Sequence, residues 1–171
     1  MNNAQSQSLP STEQPIGPQR KKFNFWRLFW LSTIPISLGW LWHDFYAPEN
    51  RIAWSKDFAS GQQQAVKSGK PMVLFFTGTW CSPCRIMKRE VWADSQVEAA
   101  VNSGFTPVTI DVDDPRAATV KNRYRVGITP TTIVTDPKGN VLQYATGGID
   151  KSHFLGMLAK ADPSATKVRA Q

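Results

Sequence analysis

The chain has 171 residues, of which 41% are hydrophobic and 19% charged; that suits one folded domain with terminal extensions and excludes a multidomain machine, a wholly disordered chain and a polytopic membrane protein. Two cysteines and two histidines cannot build a disulfide scaffold, nor a four-ligand zinc site without carboxylates or a second chain. The formal net charge of +7 points to nucleic acid or anionic lipid only if the positive residues are gathered together, and they are not: beyond one short basic run they are scattered, with no interleaved aromatics, so no nucleic-acid partner is expected.

Residues 1–22 read as a disordered leader rich in Asn, Gln, Ser and Pro, closed by Arg20-Lys21-Lys22. Residues 23–45 read as a transmembrane signal-anchor helix. The charge-free stretch Leu28 to Trp42 gives only about 22 Å at about 1.5 Å per residue, but starting at Phe23 restores about 30 Å, with Arg27 near enough to the end to snorkel. Trp26 and Trp30 stand toward one end and Trp40 and Trp42 toward the other, as interfacial belts require. Basic residues precede the apolar centre, whereas His43, Asp44 and Glu49 follow it. The N-terminus is therefore expected in the cytoplasm and the rest on the extracytoplasmic side, periplasmic in a bacterium. A cleaved signal peptide is the competing reading, though the exit GWLWHDFYAP has bulky aromatics where a cleavage site needs small residues.

Residues 46–53 read as a linker and residues 54–162 as one domain. A helix over Asp57 to Lys67 is stopped by Gly69-Lys70-Pro71, and the apolar run Met72 to Phe76 reads as a strand covered on both faces. Helices follow to about Trp92 and over Ser95 to Asn102, then a strand over Phe105 to Asp111 and a helix over Ala117 to Tyr124 opened by Asp114-Pro115. Thr131 to Thr135 and Val141 to Thr146 read as strands of a hairpin, and Asp150 caps a last helix ending near Ala161. Residues 163–171 read as a disordered tail. This order predicts an α/β fold of three layers, a mixed sheet between helices.

Chemistry concentrates at Trp80-Cys81-Ser82-Pro83-Cys84, where a buried strand turns into a helix. Cys81 falls at the helix N-terminus, whose unsatisfied N–H groups and dipole favour the thiolate, the nucleophilic form. Cys84, one turn further, is placed to resolve a mixed disulfide formed by Cys81. Trp80 offers an apolar platform for an incoming chain, and Pro83 has a φ suited to the first helical turn. The plainer readings of the pair are a structural disulfide, half of a shared metal site or inert core thiols; a loop of three residues adds little stability as a disulfide. His43 and His153 read as surface residues rather than ligands, so no metal is expected. Asp111, Asp113 and Asp114 read as strand-terminating and helix-capping, and Met87 and Trp92 as core.

The segments MVLFFTGTWCSPCRIMK, VTIDVDD, YRVGITPTTIVTDPKGNV and TGG together resemble the thioredoxin superfamily over roughly Trp54 to Ala161. The resemblance implies a cis Pro130 facing the cysteines, Thr129 offering its backbone to a substrate chain, and Gly147 beside the substrate groove. It implies no organic cofactor beyond the redox-active Cys81–Cys84 disulfide, and as partners protein thiol or disulfide substrates and a redox partner protein. FTGTWC after an anchor resembles extracytoplasmic members more than cytosolic thioredoxin. Two departures stand out: Phe75 occupies the place of the buried Asp six residues before the first cysteine, and Phe105 to Val108 lacks the partner Lys. The proton acceptor is thus left open among water, a hydroxyl such as Thr77 or Thr79, the substrate, or slow deprotonation of Cys84 itself. Ser82-Pro83 between the cysteines tunes the potential, so the direction of electron flow does not carry over, although reduction is favoured. The leading reading is a membrane-anchored thiol–disulfide oxidoreductase; the alternatives are a binding, chaperone or assembly module without turnover and a thiol peroxidase.

Overall fold

The computed structural model describes residues 25–46 and 48–162. The leader, the start of the expected span at 23–24 and the C-terminal tail lie outside them. Contacts divide the chain into two units, Met1–Trp40 and Leu41–Gln171.

Helix α1, Phe25–Phe45, occupies the expected anchor and carries Pro35. From Phe25 to Trp42 its aliphatic and aromatic side chains are exposed, among them Trp26, Trp30, Ile34, Leu38 and Trp40. The expectation of a span is nevertheless corrected in one respect: no helix among the described residues is long and apolar enough to cross a membrane. The physical reason is composition, because Arg27, Ser32, Thr33, Pro35, Ser37, Gly39 and His43 interrupt the aliphatic residues and four tryptophans carry a polar N–H.

The second unit follows the expected order. Asp57 caps α2 (Phe58–Ser68) by accepting from the Ser60 N–H, and Gly69, at φ 68°, closes it in the left-handed conformation that glycine adopts without a Cβ clash. Strand β1 (Met72–Thr77) is buried at every position. It leads into α3 (Ser82–Met87), which continues as a π turn over Lys88–Trp92. Asp94 caps α4 (Ser95–Gly104), and β2 (Thr106–Asp111) follows, with Phe105 ending the helix rather than starting the strand. The helix expected over 117–124 divides into a 3-10 turn at Pro115–Ala117 and α5 (Ala118–Arg123). Strands β3 (Thr131–Thr135) and β4 (Val141–Thr146) and helix α6 (Lys151–Ala161), capped by Asp150, complete the unit.

The sheet runs β2-β1-β3-β4, with β1 parallel to β2 and antiparallel to β3, and β3 antiparallel to β4. It is the mixed sheet that the element order implies. Alternation along β1 sends Val73 and Phe75 to one face, with Cys84, Trp92, Val97 and Phe154, and Met72, Leu74 and Phe76 to the other, with Ala65 and Tyr124. Helices α3, α4 and α6 thus cover the cysteine face, and α2 and α5 the opposite one.

Residues 50–55, read in part as a linker, belong to the fold. Ile52 is buried in the core, the Arg51 N–H donates to Glu98 and Asn102 bonds to Arg51 and Ala53. Ser55 forms a one-residue parallel bridge with Val108, extending the sheet beyond β2.

Trp92 is wholly buried and meets Phe154 at 4.6 Å, Phe75 at 5.1 Å and Trp54 at 5.3 Å between ring centroids, all near edge-to-face. Trp92→Ala should cost about 3–5 kcal/mol of unfolding free energy, read from urea titrations; a loss below about 1 kcal/mol would show that the ring cluster is not the centre of the core. Helix caps supply a second test. The Ser60 hydroxyl holds Asp57, the Lys151 ammonium holds Asp94, and the His153 backbone N–H holds Asp150 below the ordinary carboxylate range. Groups more acidic folded than unfolded stabilise fully above the unfolded value of about 3.9 and cease to do so as pH falls through the folded values. The urea midpoint should therefore stay level from about pH 7 to about pH 5 and drop below about pH 4; a decline already complete at about pH 5 would contradict this.

Candidate active site

The strand-to-helix turn after β1 places the cysteines. Gly78 and Thr79 leave the strand, Trp80 stands 90% exposed, and Cys81 is the N-cap of α3 with Pro83 in its first turn. Cys81 and Cys84 are joined by a disulfide, with their Cα atoms 5.2 Å apart. The Cys84 backbone N–H donates to Cys81 Sγ at 3.2 Å. In the reduced protein the same N–H, with the positive end of the helix behind it, favours a thiolate at Cys81. Accessibility separates the two sulfurs: Cys81 is half-buried at the rim, whereas Cys84 is 1% exposed and packs in the core cluster. Of the two sulfurs, that of Cys81 is the more open to approach.

Two arrangements fix this turn. Asp113, just past β2, accepts from the Thr79 N–H at 3.2 Å and from the Thr79 hydroxyl at 3.1 Å, so an acid read only as strand-terminating also ties down the approach to Trp80 and Cys81. The Arg85 guanidinium donates to the Ser82 hydroxyl at 3.0 Å, bringing positive charge beside the inter-cysteine residues. Asp114 caps the 3-10 turn as expected, accepting from the Arg116 N–H.

The other residues expected at the site come from the segments beside β3 and β4. The Thr129–Pro130 peptide is cis; Pro130 is buried, Thr129 half-buried and Ile128 exposed. The Gly147 N–H donates to the Pro130 carbonyl at 2.8 Å, and Gly147 has φ 81°, a conformation that favours glycine. A Cβ on Gly148 would lie 3.9 Å from the Pro83 ring. Pro83 and the loop after β4 therefore adjoin, and Gly147 is bonded to Pro130. An open groove of about 460 Å³, lined by Pro83, Ile86, Met87, Gly148 and Ile149 among others, begins there. Its lining from α3 and the β4–α6 loop was not legible in the sequence, because only the packing of these elements brings them together.

The backbone carbonyl of His43 accepts from the Arg89 guanidinium at 3.0 Å. The His153 N–H donates to Asp150 at the exposed start of α6, and His43 belongs to α1. Among the described residues no group of His, Cys, Asp and Glu could hold a metal ion. Met87 and Trp92 lie in the core.

Comparison with known proteins places this arrangement. The DsbD thiol:disulfide interchange protein of Ralstonia nicotianae is 32% identical over 101 residues, which are 57% of this chain and 16% of that protein. The thiol-disulfide oxidoreductase ResA of Geobacillus kaustophilus is 33% identical over 117 residues, 56% of this chain and 65% of its own length. The chain thus spans less than two thirds of these relatives. Among solved structures, a thioredoxin from Thermus thermophilus matches with a TM-score of 0.60 at 22% identity, covering 68% of this chain and 92% of that one. The family model described as a thioredoxin-like domain matches residues 58–162, more than half of the chain, and the chain therefore belongs to the thioredoxin-like family.

Proposed function

We propose that the protein is a thiol–disulfide oxidoreductase that exchanges electrons with protein substrates through Cys81 and Cys84, working as a reductase on the extracytoplasmic side of a membrane. The observation that carries this reading is the pair itself, a disulfide with one sulfur at an exposed rim and its partner buried. Cys81 attacks a substrate disulfide and expels one substrate thiolate. Cys84 then attacks Cys81, releases the second thiolate and restores the intramolecular disulfide. The redox equivalents reside in the pair, and a redox partner protein must return two electrons to it after each turnover. Trp80, Ile128 and Thr129 rim the site with apolar and backbone surface suited to an extended chain, with Pro130 and Gly147 beneath; Ser82 and Pro83 tune the couple. Membrane attachment through α1 belongs to the same proposal. It is supported by a helix with apolar residues exposed from Phe25 to Trp42 and tryptophans toward both ends, following Arg20, Lys21 and Lys22.

Cys81→Ser should abolish exchange, and Cys84→Ala should accumulate mixed disulfides that reductant dissolves on gels; unchanged turnover in both would overturn the reading. In the wild type, equilibration against dithiothreitol should give a potential near the thioredoxin value of about −270 mV, whereas one near about −120 mV would reverse the direction to oxidation. Attachment predicts that the full chain stays with membranes through an alkaline carbonate wash; complete release into the supernatant would refute it.

A further inference from the structure

The fold leaves one chemical need of the site unmet. Resolution requires the Cys84 thiol, 1% exposed and packed against apolar side chains, to become a thiolate, and burial without a polar partner penalises that charge. Phe75, in the same cluster, supplies none. Of the hydroxyls near the turn, that of Thr79 is taken by Asp113. Two others are not: Thr77 Oγ1 and Thr132 Oγ1 are buried and have no hydrogen-bond partner among the described residues. Thr77 is 7% and Thr132 0% exposed. Both lie on the cysteine face of the sheet. Thr77 is two residues beyond Phe75 on β1, hence on its side, and Thr132 is its cross-strand partner on β3, two residues after Pro130. The two threonines therefore neighbour Phe75 on that face, one along the strand and one across it. Buried polar groups are nearly always paired, so these two hydroxyls, which with the Trp92 indole N–H in the same core are unpaired among the described residues, invite an explanation.

We propose that Thr77 and Thr132 are hydrogen-bond donors to the Cys84 thiolate, engaged during resolution and released when the disulfide closes. The inference rests on the oxidoreductase reading and adds to it the groups that make the second step possible. In that step the Cys84 S–H bond breaks, the thiolate attacks Cys81 Sγ, the Cys81–substrate S–S bond breaks and the Cys81–Cys84 bond forms. The departing substrate sulfur carries away the electron pair and takes up a proton, so the substrate gains two electrons and the pair loses two. A hydroxyl is too weak a base to remove the proton, but by donating to sulfur it lowers the cost of the anion. Once the sulfur is in a disulfide it carries no charge, and the donors lose their acceptor. In the disulfide form described here both hydroxyls are unpartnered among the described residues, as idle donors would be.

The test separates capture from resolution in single-turnover stopped flow on the full chain, with a fluorogenic peptide disulfide as probe and pH varied. Thr77→Val with Thr132→Val keeps the shape and removes both hydroxyls. We expect resolution to slow about tenfold at neutral pH and its pH midpoint to rise by about one unit, the equivalent of that factor, while Thr77→Ser with Thr132→Ser restores the wild-type profile. A role confined to packing would not move a pH midpoint or be rescued by serine. Thr→Ala at both positions replaces the valine pair if that variant fails to give the wild-type near-ultraviolet circular dichroism. Normal capture with unchanged rate and pH profile of resolution would overturn this proposal alone. Failure of the Cys84→Ala protein to form any mixed disulfide would overturn it together with the oxidoreductase reading.

Discussion

The edge-to-face cluster around Trp92 is the constraint on which the site depends. One indole joins the edge segment through Trp54, the central strand through Phe75 and the last helix through Phe154. Aromatic pairs have preferred geometry as well as large buried area, so such a node fixes orientation where aliphatic packing would tolerate sliding. Trp92 is also the end of the helical stretch that begins at Cys81. Holding the far end of that stretch in the core holds its near end, with the cysteines, at the rim.

The rim is then a meeting of two hydrogen-bonded loops on a rigid floor. Asp113 secures the approach to Cys81, and Gly147 secures Pro130. Neither bond touches a sulfur; both limit where Trp80 and Thr129 can be. The floor is unusual for its chemistry: where the superfamily pattern would place a carboxylate, this chain has an aromatic ring that belongs to the Trp92 cluster. Packing has replaced charge at that point, and whatever polarity the buried sulfur requires must come from neighbouring positions on the same face.

Much of this was legible in the sequence because it is encoded locally. The run MVLFF reads as a covered strand, Asp57 and Asp150 announced their helices, and the strand, Cys-x-x-Cys and helix succession assigned different roles to the two sulfurs. What escaped was encoded by register. Ser55 joins the sheet through one bridge, too short for any periodicity, and so lay at the edge of an apparent linker. The Asp113 to Thr79 contact spans 34 residues. Thr132 acquired interest only when the sheet set it opposite Phe75. For α1 length and flanking charge are plain in the sequence, while Ser, Thr, Gly, Pro and Trp dilute its aliphatic content.

The π turn at Lys88–Trp92 bears on how this chain can vary. A π turn holds one residue more than the α turn it replaces, and each residue of an α-helix advances the side chain by about 100°. Losing one residue between Met87 and Trp92 would let this turn close as α with its flanks still in phase, whereas losing two or gaining one would turn the indole by about 100° away from Phe75 and Phe154. Substitutions at the exposed Glu90 are readily accommodated, and so is the loss of one residue; longer deletions and insertions are not. Along these few residues the chain can be respelled or shortened by one, but not lengthened.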